Sequence, residues 1–197
     1  TIDRISATTS FAGTKLLNGT YDFTISGQHG RVTDFQVNAA KLNTGDTRAV
    51  NVIVNASAQH GTLFLSAATG VTALDLTASS STFVFELAGA KGSREFTFAS
   101  GTKLSAIAAS INQFKAITGV SATASANFVK FKSTEFGSDE FVSFKLVGAG
   151  GQVGGINTAS AFGENTIKTT AGTAFTSLTN PIRDAGQDIG AVINGTI

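Results

Sequence analysis

Phe83-Val84-Phe85-Glu86-Leu87-Ala88-Gly89-Ala90-Lys91-Gly92-Ser93-Arg94-Glu95-Phe96-Thr97-Phe98 is the stretch on which the fold turns. Phe83, Phe85 and Leu87 recur every second residue, so they share one face of a strand. Gly89-Ala90-Lys91-Gly92 turns the chain, and Phe96 and Phe98 share a face of the returning strand. Gly101 then breaks that strand, and Thr102 is a candidate helix cap. Leu104, Ile107, Ile111 and Phe114 follow at helical spacing, with Ala108 in the same stripe. Thr118-Gly119 ends the helix, because glycine takes the left-handed conformation without strain. A helix of about 15 residues, about 22 Å at 1.5 Å per residue, is predicted here, with one apolar stripe that must cover a sheet.

Working outward on the carboxyl side, Val120 to Ala126 reads as a strand of small residues, with a turn near Asn127. In Phe128 to Ser133, Val129 and Phe131 face one way while Lys130 and Lys132 face the other. Phe136-Gly137-Ser138 bends the chain, and Val142, Phe144 and Leu146 mark another strand. From Gly148 to Pro181 the chain is glycine-rich and polar, and reads as loops or irregular strands. On the amino side, Val50, Val52 and Val54 alternate with Asn51, Ile53 and Asn55 as a strand, and Thr62 to Leu65 is a second. Ala56 to Gly61 between them suits a hairpin turn, and Ser79 to Thr82 a loop. Tyr21, Phe23 and Ile25 alternate with polar residues as a further strand after the turn signal Asn18-Gly19. The expected class is therefore α+β, mostly β: antiparallel strands and hairpins with one well-defined amphipathic helix packed on a sheet.

Composition supports this. A chain of 197 residues makes one large domain or two small ones. Its 22 glycines and single proline suit short strands joined by glycine turns, and its 16 phenylalanines, with no Trp and one Tyr, suit a phenylalanine core between sheets. With no cysteine, disulfides, thiolate catalysis and cysteine metal sites are excluded. A net charge of +1 without runs of like charge leaves no footprint for nucleic acid or an anionic membrane. The apolar runs fall far short of the roughly 20 residues of a membrane helix.

No chemistry-bearing constellation emerges. His29 and His60 each precede a glycine, as turn residues do, and no His-x-x-x-His spacing exists for a zinc site. Asp139-Glu140 follows a bend and faces water. Asp184 and Asp188 flank Gly186; a surface calcium is conceivable there, but solubilising a turn is the simpler role, and no EF-hand loop matches. Gly148-Ala149-Gly150-Gly151 lacks the Gly-Lys-Ser/Thr and the helix that a phosphate loop needs. No Gly-x-Ser-x-Gly elbow occurs. No catalytic, cofactor-binding or metal-binding residue, and no cofactor, is expected. Of three Asn-x-Ser/Thr sequons, at Asn18, Asn55 and Asn194, two are Asn-Gly turns.

Two stretches carry a family resemblance. Ile2-Asp3-Arg4-Ile5 through Thr8-Thr9-Ser10-Phe11 to Leu16-Leu17-Asn18-Gly19 resembles the place where the amino-terminal helices of bacterial flagellins end. Leu104, Ile107, Ile111-Asn112, Gly119-Val120 and Phe136-Gly137-Ser138 resemble the hook IN motif of flagellins and flagellar hook-associated proteins, over about a third of the chain. Asp184 to Thr196 is similar to a flagellin strand ending in Ile-Asn-Gly. The resemblance implies a middle segment of a longer subunit. Residues 1–47 would be a remnant of the conserved core domain and its link, and residues 48–181 the outer surface, with the IN motif at 83–147. Residues 182–197 would start a further strand or hairpin cut short.

What the resemblance implies functionally is a structural subunit of the extracellular flagellar filament, serving motility without turnover. Its partners would be other flagellin subunits, with glycans on exposed Ser or Thr such as Ser79 to Thr82, no nucleic acid and no membrane; the fragment itself would be monomeric. The alternatives are a hook-associated flagellar protein, an extracellular carbohydrate-binding or adhesive β-domain, and a hydrolase with a scattered site. The absence of Trp argues against sugar-stacking platforms.

Overall fold

The computed structural model describes residues 10–11, 14–15, 24–30, 32, 37, 40, 42–43, 45–67, 72–76, 81–125, 127–160, 163–167 and 172–194. The chain divides into two units, Thr1–Ala49 and Val50–Ile197. In the first, β1 (Ser10–Phe11) and β2 (Thr14–Lys15) pair antiparallel. Asn43 and Asp46 close a turn in which the Asp46 carboxylate accepts the Asn43 N–H at 3.2 Å. Most of the stretch from Ile2 to Gly19, and Tyr21 and Phe23, lie outside the described residues; Thr24 to Ser26 are not strand.

The second unit is mostly β, as expected. Its strands are β3 (Val52–Ala56), β4 (Thr62–Ala67), β5 (Thr82–Gly89), β6 (Gly92–Ala99), β7 (Val120–Ser125), β8 (Phe128–Ser133), β9 (Phe141–Gly148), β10 (Gly154–Ser160), β11 (Gly163–Ile167), β12 (Thr173–Ala174), β13 (Ile182–Ala185) and β14 (Gly190–Ile193). A six-stranded antiparallel sheet runs β11-β10-β4-β8-β7, with β12 also on β10; a four-stranded one runs β13-β9-β5-β6. The β5–β6 hairpin has the expected register, Phe83 opposite Phe98 and Phe85 opposite Phe96.

Both sheets feed one core. Phe85, fully buried, stands 4.8 Å from Phe144 between ring centroids on its own sheet and 6.2 Å from Phe131 on the other. Phe131 and Phe144 lie 6.3 Å apart, so the phenylalanine layer joins the two sheets. Such ring pairs add roughly 0.5–1.5 kcal/mol each beyond area burial. The helix lies on β7 and β8 and buries Leu104, Ile107, Ala108 and Ile111, the stripe its periodicity marked.

Four expectations change. The helix is two segments, α1 (Leu104–Gln113) and α2 (Lys115–Thr118), separated at Phe114, whose φ of −107° and ψ of 12° leave the helical region. Thr102 is not its cap: its hydroxyl donates to Ala99 O at 2.7 Å to close the turn at Gly101, and Thr72 O accepts the Leu104 N–H at 2.9 Å. A neighbouring segment thus satisfies a donor that a side-chain cap would have taken. Val50 to Leu65 is not a hairpin, because β3 pairs with β14 while β4 pairs with β8 and β10. β4 is buried on both faces and needs a neighbour on either side, whereas Val52, Ile53 and Val54 of β3 are exposed. The stretch from Gly148 to Pro181 is more regular than its composition suggests, since β10 runs beside β4 with Ile156 opposite Leu65. Gly190–Ile193 pairs antiparallel with the earlier β3, Ile193 opposite Val52.

Candidate functional site

The described polar networks form two clamps. The first joins helix to sheet. Ile111 is fully buried, so the next residue, Asn112, points along the side of the helix toward β7. β7 is the edge of its sheet and has backbone groups without a strand to pair with. Asn112 Nδ2 donates to Ala122 O at 2.8 Å, and Asn112 Oδ1 accepts the Ala122 N–H at 2.8 Å. The side-chain amide thus stands in for one residue of a further strand. Below it, Thr118 Oγ1 donates to Phe114 O and accepts the Val120 N–H, each at 3.2 Å. Gly119, at φ 73°, provides the expected left-handed cap. Its carbonyl accepts the Thr134 N–H at 2.9 Å. Arg94 covers the Phe114 ring at 3.5 Å, a cation–π contact that closes the stripe's outer end.

The second clamp gathers three loops around Phe136-Gly137-Ser138. Asp188 accepts from the Ser138 N–H at 2.8 Å and from its hydroxyl at 2.6 Å. Those bonds to the ionised form hold the Asp188 carboxyl below its ordinary value. Gln59 and Gln187 exchange backbone bonds of 2.8 and 2.9 Å, and Glu140 O accepts the Gly186 N–H at 2.7 Å. His60 is buried, with Nδ1 2.9 Å from Glu135 O and its ring 3.7 Å from that of Phe136. Asp184 accepts the Thr62 N–H at 2.7 Å. Burial pushes its carboxyl above the ordinary value, against the opposing pull of that bond.

The aspartates therefore face different backbone amides rather than a common ligand. Among the described residues no group of three or more His, Asp or Glu is placed to hold a metal ion. His29 is an exposed turn residue whose carbonyl accepts the Val32 N–H at 2.8 Å. Asp139 is exposed and Glu140 half-buried in the turn before β9. Gly148 to Gly151 ends β9 in a turn with Gly150 at φ 57°, and no helix opens there. Asn55 is exposed on β3, and Asn194 Oδ1 accepts the Asn51 N–H at 2.9 Å; Asn18, Ser79 and Ser80 lie outside the described residues. No helix among the described residues is long and apolar enough to cross a membrane. The sequence reading missed the roles of Asn112, Ser138 and Asp188. The available signal for Asn112 and Ser138 was their place in the stretches that resemble the hook IN motif.

The features at these positions order backbone, and the class they define is a structural module. Residues 82–135, which contain the helix, its capping glycine and the Asn112 clamp, match the family described as the flagellin hook IN motif. The chain thus carries a motif of flagellin-type structural proteins. No curated protein matches the sequence. Among solved structures, similarity extends to the D2-D3 domains of the flagellar cap protein FliD. One Serratia marcescens crystal form is 22% identical and covers 78% of each chain, with a TM-score of 0.43. A second form is 20% identical over 75% of this chain and 74% of that one, with a TM-score of 0.42. The Escherichia coli protein is 17% identical over 76% of this chain and 90% of that one, with a TM-score of 0.38.

Proposed function

We propose that this chain is the outward-facing part of a subunit of the bacterial flagellar filament, displayed outside the cell and without turnover. The observation that carries this reading is the hook IN motif over residues 82–135. The likeness of Thr1 to Gly19 to the end of the flagellin amino-terminal helices favours a filament subunit over a hook-associated protein. On this reading residues 1–47 are the link to a conserved core, and residues 48–181 are the outer surface. The chain by itself is a folded monomer that does not polymerise, because filament growth depends on long helices of the parent subunit.

Immunogold electron microscopy with antibodies raised against this chain tests the assignment. Label along the whole filament is expected; label confined to the tip or to the hook junction would reassign the chain to a cap or hook-associated protein. Light scattering of the isolated chain under filament-forming conditions tests the monomer, and seeded elongation by the chain alone would contradict it.

A further inference from the structure

Three lysines from three separate elements open on one groove. Lys91 lies in the β5–β6 turn, Lys115 begins α2, and Lys132 lies near the end of β8. With Ser121, Thr134 and Glu135 they line a cavity of about 490 Å³. None of the three ammonium groups has an ion pair or hydrogen bond among the described residues; the ion pair between Lys145 and Glu86, at 3.9 Å, lies elsewhere. Three ammonium groups against the single carboxylate of Glu135 leave the wall positive, on a chain whose net charge is only +1. Like charges gathered around an opening repel one another and focus a field that favours an anion there.

The fold places the stems of Lys91 and Lys132 beside the groove. A Cβ on Gly119 would come 3.2 Å from Lys91 Cγ, so the lysine stem lies over the glycine cap. Lys132 is half-buried and sits opposite Ser121 across the β7–β8 ladder. On the same wall, the Thr134 hydroxyl oxygen is shielded from solvent and has no hydrogen-bond partner among the described residues. The groove thus has point-charge donors on lysine stems, but no arginine fork for one planar carboxylate.

We propose that this groove binds a small multivalent oxyanion, one carrying two or more carboxylate or phosphate groups. Amide NMR titrations of the intact chain at low ionic strength, with citrate and pyrophosphate in separate arms, test it. Saturable shifts at Lys91, Lys115, Ser121, Lys132 and Thr134 are expected, with affinity falling about tenfold or more in the combined Lys91→Gln, Lys115→Gln, Lys132→Gln variant, as for an electrostatic site. Lys103→Gln, at the other end of α1, should leave the affinity unchanged. Binding of citrate alone identifies a carboxylate ligand, and of pyrophosphate alone a phosphate one; either supports the site. If the combined variant does not fold, Lys115→Gln at its exposed position gives the reading, with a loss of about threefold or more expected. No saturable shift with either probe, or an affinity that survives these substitutions, overturns the proposal.

Discussion

Asp184 and Asp188 stand on either side of Gly186 and are shifted in opposite directions, Asp184 up by burial and Asp188 down by its two bonds from Ser138. Their contributions to stability therefore have opposite signs. A carboxyl raised in the folded chain holds its proton more tightly there than in the unfolded chain. The stability it lends is present below the ordinary value of 3.8 and is lost as pH rises through the raised folded value. For Asp188 the contribution is present above 3.8 and is lost as pH falls through the lowered folded value. Asp184→Asn, whose amide oxygen still accepts the Thr62 N–H, should unfold at neutral pH no earlier than the parent. Asp188→Asn should unfold earlier at neutral pH, with a deficit that closes on acidification and shrinks in salt. Urea midpoints between about pH 3 and pH 7 check both. A large neutral-pH loss in Asp184→Asn would show that the ionised carboxylate is the stabilising form.

The Asn112 clamp predicts a contrast between two substitutions. Asn112→Ala removes both bonds to Ala122 and should cost about 1–2 kcal/mol, two ordinary net hydrogen bonds. Asn112→Asp keeps an acceptor for the Ala122 N–H but sets a second oxygen against the Ala122 carbonyl. It should cost more than alanine at neutral pH and recover on protonation. Amide exchange at Ala122 reads the clamp directly. If exchange there is unchanged in both variants, Asn112 does not hold the β7 edge.

These clamps mark where the sequence stops being legible. Phe83, Phe85, Leu87, Val129, Phe131, Val142 and Phe144 announce their strands because each buries one face, and burial on one face writes a period of two. Leu104, Ile107, Ala108 and Ile111 write the helix in the same way, and Gly119 its end. β10 leaves no such trace: it opens with Gly154 and Gly155, and Ile156 is its single buried large apolar residue among those described. The partner of β3 was equally hidden, since Val52, Ile53 and Val54 are all exposed and carry no pattern that selects a neighbour. Asn112 looks like any polar residue beside an apolar stripe. Its role depends on a strand edge 10 residues further along the chain, which only tertiary structure brings beside it.

The stripe itself gives a direct test of core packing. Ile111 is fully buried against the sheet, so Ile111→Ala should destabilise the chain by about 2–5 kcal/mol through lost burial and the cavity left behind. Ile117→Ala, within the short α2 and 56% exposed, should cost well under 1 kcal/mol, roughly the range of a surface substitution. Equal shifts in the two urea midpoints would mean that the stripe is not the face that packs.

Gly186 links the two aspartates to the second clamp. A Cβ there would meet the backbone oxygens of both Gln59 and Gly137 closer than contact allows. Neither is the end of a flexible side chain, so they cannot swing aside. Gly186→Ala should therefore force apart the loops that carry Gln59 and Gly137, breaking the Gln59–Gln187 bridge and the bond from Gly137 N to Gln59 O at 3.3 Å. A cost of about 1–3 kcal/mol is expected, the range of overpacking at a site that yields only through its backbone. The loss should be local before it is global. Amide exchange at Gln59, Gly137 and Gln187 should rise while Phe85 and Phe131, in the phenylalanine layer, stay protected under conditions where the chain remains folded. If those core amides open together with the loops, the second clamp and the core form one cooperative unit; if none of the loop amides changes, the close approach at Gly186 does not constrain the clamp.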